Sequence, residues 1–224
     1  MPDYTKPDHW SLKAQKEGYP ARSVYKLREM DEKFGLLKHC GPSPKVLDLG
    51  AAPGSWSLYI LRRLAGKTGN AGGSKVSQGS PALPGQQVSL VSVDLSPLSR
   101  QYDQGLFDRD NFVFIRGDFT HAAIRESILS YAPYRLIVSD AAPATAGNRS
   151  LDTLRSLELA ESVLDYAGTA LAKGGNLVIK VFQGGDTAGL LKTIRNIFET
   201  GKSFKPEACR AESFETYYIG LGKR

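Results

Sequence analysis

The chain has 224 residues, of which 41% are hydrophobic, and this length suffices for the core of a single domain over residues 1–224. Lysine and arginine total 29 against 23 aspartate and glutamate; the net charge of +6 favours a polyanionic partner, although an ordinary basic soluble protein fits it as well. No apolar run approaches the roughly 20 residues of a membrane span, so we expect a soluble cytoplasmic protein without a membrane partner. Cys40 and Cys209 belong to no CxxC pair, so we expect neither a disulfide framework nor a metal site.

The predicted elements begin with helices and continue as a strand and helix alternation. A helical pattern runs from about residue 11 to 37, with a boundary expected at Tyr19-Pro20. Strands are expected at 45–49, 88–94, 112–115, 134–139, 176–182 and 216–222, and helices at 55–65, 122–130, 151–172 and 187–199. This alternation predicts an α/β fold with a mostly parallel sheet, helices on both faces and an antiparallel last strand.

One segment interrupts the alternation. Residues Gly66 to Gln87 are rich in glycine, serine and proline and contain few apolar side chains. This composition predicts a flexible surface insertion between a helix and the following strand. Contact of this basic loop with RNA is a second, weaker interpretation.

The run KVLDLGAAPGSWS, at 45–57, predicts a cofactor-binding turn between a buried strand and a helix. Gly50 and Gly54 have no Cβ atom, which allows a ligand to lie against the backbone. The spacing fits neither the dinucleotide fingerprint nor the phosphate-binding loop. Asp48 before the turn would repel phosphates but suits a cation such as S-adenosylmethionine. A purely structural turn is the alternative.

Carboxylates follow three further predicted strands. Asp94 ends the second strand, where a carboxylate can accept both ribose hydroxyls of an adenosine. Asp118 follows the third strand and could accept the adenine amino group, or it could cap the next helix. Asp140 ends the fourth strand, and Lys180 lies within the apolar strand NLVIKVF. A lysine buried there needs a carboxylate partner or must lose its proton, which describes either a catalytic lysine or a structural ion pair.

With these residues in view, the chain closely resembles the FtsJ-type (RrmJ-like, RlmE) RNA ribose 2′-O-methyltransferases from about residue 4 to 223. The segments that carry the resemblance are KEGYPARSVYKL (16–27), VLDLGAAPGSWS (46–57), VDLSP (93–97), GDFT (117–120), SDAAP (139–143), IKVFQG (179–184) and ESFETYYI (212–219). The resemblance implies a Rossmann-like class I S-adenosylmethionine-dependent methyltransferase with a seven-stranded sheet.

The resemblance also implies the site residues and the substrate. The catalytic tetrad of the family falls on Lys26, Asp140, Lys180 and Glu215. The contacts to S-adenosylmethionine fall on Gly54, Trp56, Asp94, Asp118 and Asp140, beside Gly50 of the turn. The family substrate in bacteria is a uridine ribose in the A-loop of 23S rRNA in the large ribosomal subunit, and relatives act on tRNA or mRNA caps. We expect the protein to act as a monomer.

The four residues of the tetrad are expected to have different roles in methyl transfer. A ribose 2′-OH is a poor nucleophile while protonated, so a base must accept its proton. We expect Lys180 to be this base, Lys26 to assist electrostatically, and Asp140 and Glu215 to position them. The alternative is that Lys180 stays cationic and only steers the hydroxyl, with proximity supplying most of the rate.

RNA contacts are expected from the N-terminal segment 1–40, where cations alternate with aromatic side chains. The residues concerned are Lys13, Lys16, Arg22, Lys26 and Arg28 with Trp10, Tyr19 and Tyr25, and further phosphate contacts are expected from Arg149, Arg155 and Arg210. Several of these aromatics fit a core position equally well.

Two positions depart from the family pattern, because Ser55 stands in the cofactor turn where glycine is common and Ala144 follows SDAAP where asparagine is common. Two other readings remain open: a methyltransferase of the same fold acting on a small molecule or protein, and an RNA-binding module without catalysis. Both lysines and both carboxylates of the tetrad are present, which favours the RNA methyltransferase.

Overall fold

The computed structural model describes residues 8–41, 44–68, 88–144, 146–185, 187–210 and 212–224. The helices are α1 (His9–Lys16), α2 (Val24–Phe34), α3 (Ser55–Thr68), α4 (Ala122–Leu129), α5 (Arg149–Ala170) and α6 (Thr187–Ile197). The strands are β1 (Val46–Leu49), β2 (Leu90–Asp94), β3 (Phe112–Arg116), β4 (Tyr134–Ser139), β5 (Leu171–Phe182), β6 (Phe198–Phe204) and β7 (Glu215–Lys223).

Within the described residues, the seven strands form one sheet in the order β3-β2-β1-β4-β5-β7-β6. The first five strands in that order pair in parallel. Strand β7 is inserted between β5 and β6 and is antiparallel to both. The predicted mostly parallel sheet of seven strands with an antiparallel last strand is therefore confirmed.

Helices cover both faces of the sheet, as the alternation predicts. In one apolar cluster, side chains of α1, α2 and α3 pack against one face of the sheet. In a second cluster, side chains of α4, α5 and α6 pack against the other face. The central strand β1 is buried at every residue, which is typical of a parallel strand covered on both sides. Within the described residues, no helix combines the length and apolar character needed to cross a membrane.

Strand β6 was not predicted, and the helix expected at 187–199 ends at Ile197. The sequence FETGKSF is mostly polar, so its periodicity gives only a weak strand signal. It becomes a strand because it pairs along β7, with Phe198 opposite Lys223 and Phe204 opposite Tyr217. Pairing at a sheet edge outweighs the low β-propensity of such a segment.

The expected helical stretch of residues 11–37 is two helices, and the break between them contains the boundary predicted at Tyr19-Pro20. The backbone in this break has a φ of 72° at Gly18. Residues 66–68 of the expected insertion extend α3, and residues 69–87 lie outside the described residues.

Replacing Gly220 in β7 by alanine should destabilise the fold. The new Cβ would lie 2.6 Å from the ring of Phe198, which is fully buried and cannot move aside. Overpacking of this kind costs about 1–3 kcal/mol. Gly168→Ala in α5 is the matched control, because a Cβ at Gly168 meets nothing within 4 Å and alanine favours a helix. Urea unfolding of both variants is the measurement, and equal unfolding free energies would contradict this packing role.

Candidate active site

The turn after β1 is shaped by close packing of its glycines. Gly50 has a φ of 77°, and a Cβ there would lie 2.6 Å from the Cα of Ala141. Gly54 has a φ of 106°, and its Cβ would lie 3.1 Å from the ring of Phe107. Both positions therefore require glycine for the turn itself, because a side chain would be strained and crowded at either one.

A cavity of about 670 Å³ opens at the carboxyl ends of strands β1 to β4. This is the edge of an open α/β sheet where ligands bind. The sequence-predicted residues that line it are Gly50, Asp94, Asp118 and Asp140. Gly54 and Trp56 do not line this cavity, so their contacts with a cofactor stay a prediction.

The carboxylates of Asp94 and Asp118 are each held in place by two hydrogen bonds. Asp94 accepts hydrogen bonds from the amides of Ala52 (2.9 Å) and Ser96 (2.8 Å). Asp118 accepts from the hydroxyl (2.7 Å) and the amide (2.9 Å) of Thr120, and these bonds lower the pKa of Asp118. His121 occupies the N-cap position of α4, and its side chain makes no capping hydrogen bond there. The alternative that Asp118 caps this helix is therefore wrong, and Asp118 lines the cavity instead.

Asp48 lies beneath the turn rather than in the cavity. Its side chain is fully buried and accepts a hydrogen bond from the Ser57 hydroxyl at 2.7 Å. Among the described residues, its second oxygen has no hydrogen-bond partner. Burial raises the pKa of Asp48 to about 7, and the charges of Asp140 and Asp94 act in the same direction. Asp48 is thus a buried acid that titrates near neutrality.

The four tetrad residues come from four different elements and form two ion pairs. Lys180 of β5 lies 3.1 Å from the carboxylate of Asp140, and its ammonium also donates to the Asp140 carbonyl. Lys26 of α2 lies 2.7 Å from the carboxylate of Glu215, the first residue of β7. The lysine side chains are 8% and 11% exposed, so each charge depends on its partner. The structure therefore brings the predicted tetrad together.

Tyr217 joins the two pairs and was missed by the sequence analysis. Its hydroxyl donates to the Asp140 carboxylate at 2.7 Å, and the ammonium of Lys26 lies 5.9 Å from the centre of its ring. Tyr217 follows Glu215 by two residues, so the strand period places both on one face of β7. That spacing is the signal that could have identified it.

The charges of the site stabilise one another. Burial by itself would raise the pKa of Asp140, but Lys180, Lys26 and the Tyr217 hydroxyl outweigh it, and the pKa is lowered. Burial likewise opposes the charge of Lys26, yet the carboxylates of Asp140 and Glu215 raise its pKa. Asp140 is therefore an anion and Lys26 a cation at neutral pH.

The first residues of α3 attach the N-terminal segment to the sheet. The Trp56 side chain is buried, and its indole N–H donates to the Ser23 carbonyl at 2.7 Å. The Ser55 hydroxyl accepts from the Ala21 amide at 2.9 Å and donates to the Ala21 carbonyl at 3.1 Å. These bonds fix the chain just before α2, which carries Lys26. Ser55 therefore has a role that glycine could not fill.

Besides Lys26, two of the cations expected to contact RNA form ion pairs with acidic side chains of the described residues. Arg22 is paired with Asp8 and donates to the Ala208 carbonyl. Arg28 is paired with Glu17 at 2.8 Å. Both arginines support packing around the N-terminal segment, and their contacts with RNA stay a prediction.

Comparison with known sequences places these features in a wider context. A family model described as FtsJ-like methyltransferase matches residues 19–223. The chain is 46% identical over 218 residues to ribosomal RNA large subunit methyltransferase E of Treponema denticola, covering 97% of this chain and 96% of that protein. It is 40% identical over 213 residues to the protein of the same name from Borrelia garinii subsp. bavariensis, covering 95% of each.

Solved structures show the same fold. A ribosomal RNA methyltransferase from Plasmodium falciparum is 25% identical with a TM-score of 0.66, covering 92% of this chain and 98% of that chain. Human methyltransferase-like protein 13, solved in complex with SAH, is 11% identical with a TM-score of 0.55, covering 88% and 82%. The predicted class I methyltransferase fold is confirmed.

The buried Asp48 predicts an unusual pH dependence of stability. Between its ordinary value of 3.8 and its folded pKa of about 7, the unfolded chain has released the proton that the folded chain keeps. The contribution of Asp48 to stability therefore falls as the pH rises through this window and is constant above it. Asp48→Asn should gain stability relative to the wild type between pH 4 and pH 7.5. Urea unfolding at several pH values measures the difference, and one that stays constant with pH would contradict a buried, titrating Asp48.

Proposed function

The chain belongs to the FtsJ-like methyltransferase family, and we propose that it transfers the methyl group of S-adenosylmethionine to a ribose 2′-OH of large-subunit ribosomal RNA. The observation that carries this proposal is the pair of buried lysine–carboxylate contacts beside an acidic cavity. Asp140 belongs to both, because it lines the cavity and binds Lys180. A methyl donor and a ribose acceptor would meet at this residue.

The cavity fits S-adenosylmethionine by size and by charge. Its volume of about 670 Å³ lies within the range of small-molecule sites. Asp94, Asp118 and Asp140 offer acceptors for ribose hydroxyls, an amino group and a cationic centre. When bound, S-adenosylmethionine supplies an electrophilic methyl group on a sulfonium. The narrow turn at Gly50 lets the backbone form one wall of this cavity.

The tetrad is suited to prepare a hydroxyl nucleophile. We assign Lys180, as its neutral amine, to accept the 2′-OH proton while the 2′-oxygen takes the methyl group from the sulfonium. Lys26 is the cation that stabilises the developing negative charge on this oxygen. The raised pKa of Lys26 supports its role, because this side chain stays charged. Asp140, Glu215 and Tyr217 hold the two lysine side chains in position.

The RNA substrate is inferred from the relatives. Two of them, at 46% and 40% identity, are named as methyltransferases of the large ribosomal RNA, and the match covers at least 95% of each protein. The resemblance to the RrmJ-like enzymes extends the proposal to a uridine ribose in the A-loop of 23S rRNA, within the large ribosomal subunit. The protein would act as a monomer in the cytoplasm. The expected alternatives in the family are tRNA and mRNA caps.

A labelling experiment tests the reaction and the site together. Wild-type protein and Lys180→Ala are incubated with methyl-labelled S-adenosylmethionine and unmodified large ribosomal subunits. Wild type should place label on one ribose, recognised because a 2′-O-methyl group protects the adjacent phosphodiester from alkali. Lys180→Ala should lose at least about a hundredfold in rate, since general base catalysis contributes that much or more.

Parallel incubations with naked ribosomal RNA and with tRNA identify the acceptor. Label on tRNA alone would show that tRNA, and not ribosomal RNA, is the substrate. No label on any RNA would refute the proposed reaction. Lys192→Ala, an exposed lysine in α6 on the described surface, is the matched control and should keep wild-type activity.

The pH dependence of Lys180→Arg separates the base role from steering by a cation. An arginine keeps its proton at any accessible pH, so it can steer a hydroxyl but cannot accept its proton. We expect the variant to be inactive from pH 6 to 10 while its Kd for S-adenosylmethionine, measured by equilibrium binding, stays near the wild-type value. Substantial activity of Lys180→Arg would show that Lys180 acts only as a cation.

A further inference from the structure

A second cavity, of about 560 Å³, lies beside the amino-terminal half of α5. We name it the α5 pocket; its principal lining residues are Arg149, Thr153, Leu154, Leu157, Gln183 and Gly184. None of the predicted cofactor or catalytic residues lines it. Its volume is in the range of small-molecule sites.

Helix α5 separates this pocket from the acidic cavity. Arg155, Glu158 and Ser162 line the acidic cavity, whereas Thr153, Leu154 and Leu157 line the α5 pocket. Residues three and four apart share one side of a helix, so these are two neighbouring faces of the same element. The two cavities therefore lie on either side of α5.

The α5 pocket borders the carboxyl edge of the sheet next to the tetrad. Gln183 directly follows β5, and its amide donates to the Phe214 carbonyl at 2.8 Å. Phe182 pairs with Glu215 at the same edge, and Lys180 lies two residues earlier in β5. A polymer whose ribose reached Lys180 and Glu215 would thus continue along the α5 pocket.

The chemistry of the pocket fits a nucleobase. Leu154 is 54% exposed and Leu157 is half-buried, so the wall offers apolar surface to a flat ring. The guanidinium of Arg149 is held 5.2 Å from the centre of the Phe214 ring, where it can stack on a base or meet a phosphate. The exposed side-chain amide of Gln183 can donate to and accept from a base edge. No carboxylate lines the described pocket.

We propose that the α5 pocket binds the base of an RNA nucleotide that flanks the acceptor ribose, turned out of its strand. This inference rests on the proposed RNA methyl transfer for the identity of the neighbouring acceptor. The pocket would then contribute to RNA selection without touching the reacting atoms.

Photo-crosslinking tests occupancy independently of methyl transfer. The probe is a large-subunit ribosomal RNA transcript with 4-thiouridine in place of some uridines, irradiated with the wild-type protein and digested for mass spectrometry. Cross-linked peptides should include residues 149–157 or 183–185. Cross-links confined to other peptides would overturn the proposal. Cross-links in the pocket together with no methyl transfer would refute the proposed reaction and retain the pocket as an RNA site.

Kinetics of Arg149→Ala provide the second test. Loss of one stacking contact should raise the KM for RNA about tenfold, while kcat and the KM for S-adenosylmethionine stay near wild type. Arg135→Ala is the matched control, because this variant also loses one positive charge. Arg135 lies near the amino end of β4, away from the carboxyl edge of the sheet that the α5 pocket borders. Thermal melting verifies that both variants fold. Equal KM values for RNA in the two variants would mean that Arg149 acts on RNA only through its charge. That result would overturn the role of Arg149 in the pocket.

Discussion

Two buried lysines at one edge of the sheet impose the arrangement of the elements around them. An unpaired buried ammonium group is costly, so Lys180 and Lys26 each require a carboxylate within reach. Asp140 and Glu215 meet this requirement at 3.1 Å and 2.7 Å. The four residues belong to α2, β7, β5 and the end of β4, so these elements cannot shift independently. The charged groups are thereby held in place before any substrate binds, which is the condition for electrostatic catalysis.

The direction of β7 is essential to this arrangement. In a parallel sheet only the carboxyl ends of strands reach the ligand-binding edge. Because β7 is antiparallel to β5, its first residue, Glu215, lies opposite Phe182, the last residue of β5. The same register places Tyr217 opposite Lys180, and its hydroxyl reaches Asp140. The reversal of one strand therefore completes a site that parallel strands alone could not form.

Two arginines of the N-terminal segment form ion pairs within the protein. Arg22 and Arg28 lie in the segment that the sequence assigns to RNA, yet both have acidic partners within the protein. Bonds from Ser55 and Trp56 hold the same segment against the turn after β1. The segment is thus part of the site's construction, because it delivers Lys26 to the edge of the sheet.

The order of residues was enough to predict the alternating fold, the glycine turn and the carboxylates at the strand ends. These features depend on periodicity and spacing within short stretches, which the order of residues already contains. It also identified Lys180, because a lysine in an apolar strand demands a partner. Other features depend on tertiary contacts: residues 198–204 form a strand, and Trp56 donates to the Ser23 carbonyl. Tyr217 likewise bridges the two ion pairs. Each of these depends on residues far apart in the chain, and their contacts exist only after the sheet and α2 have packed together.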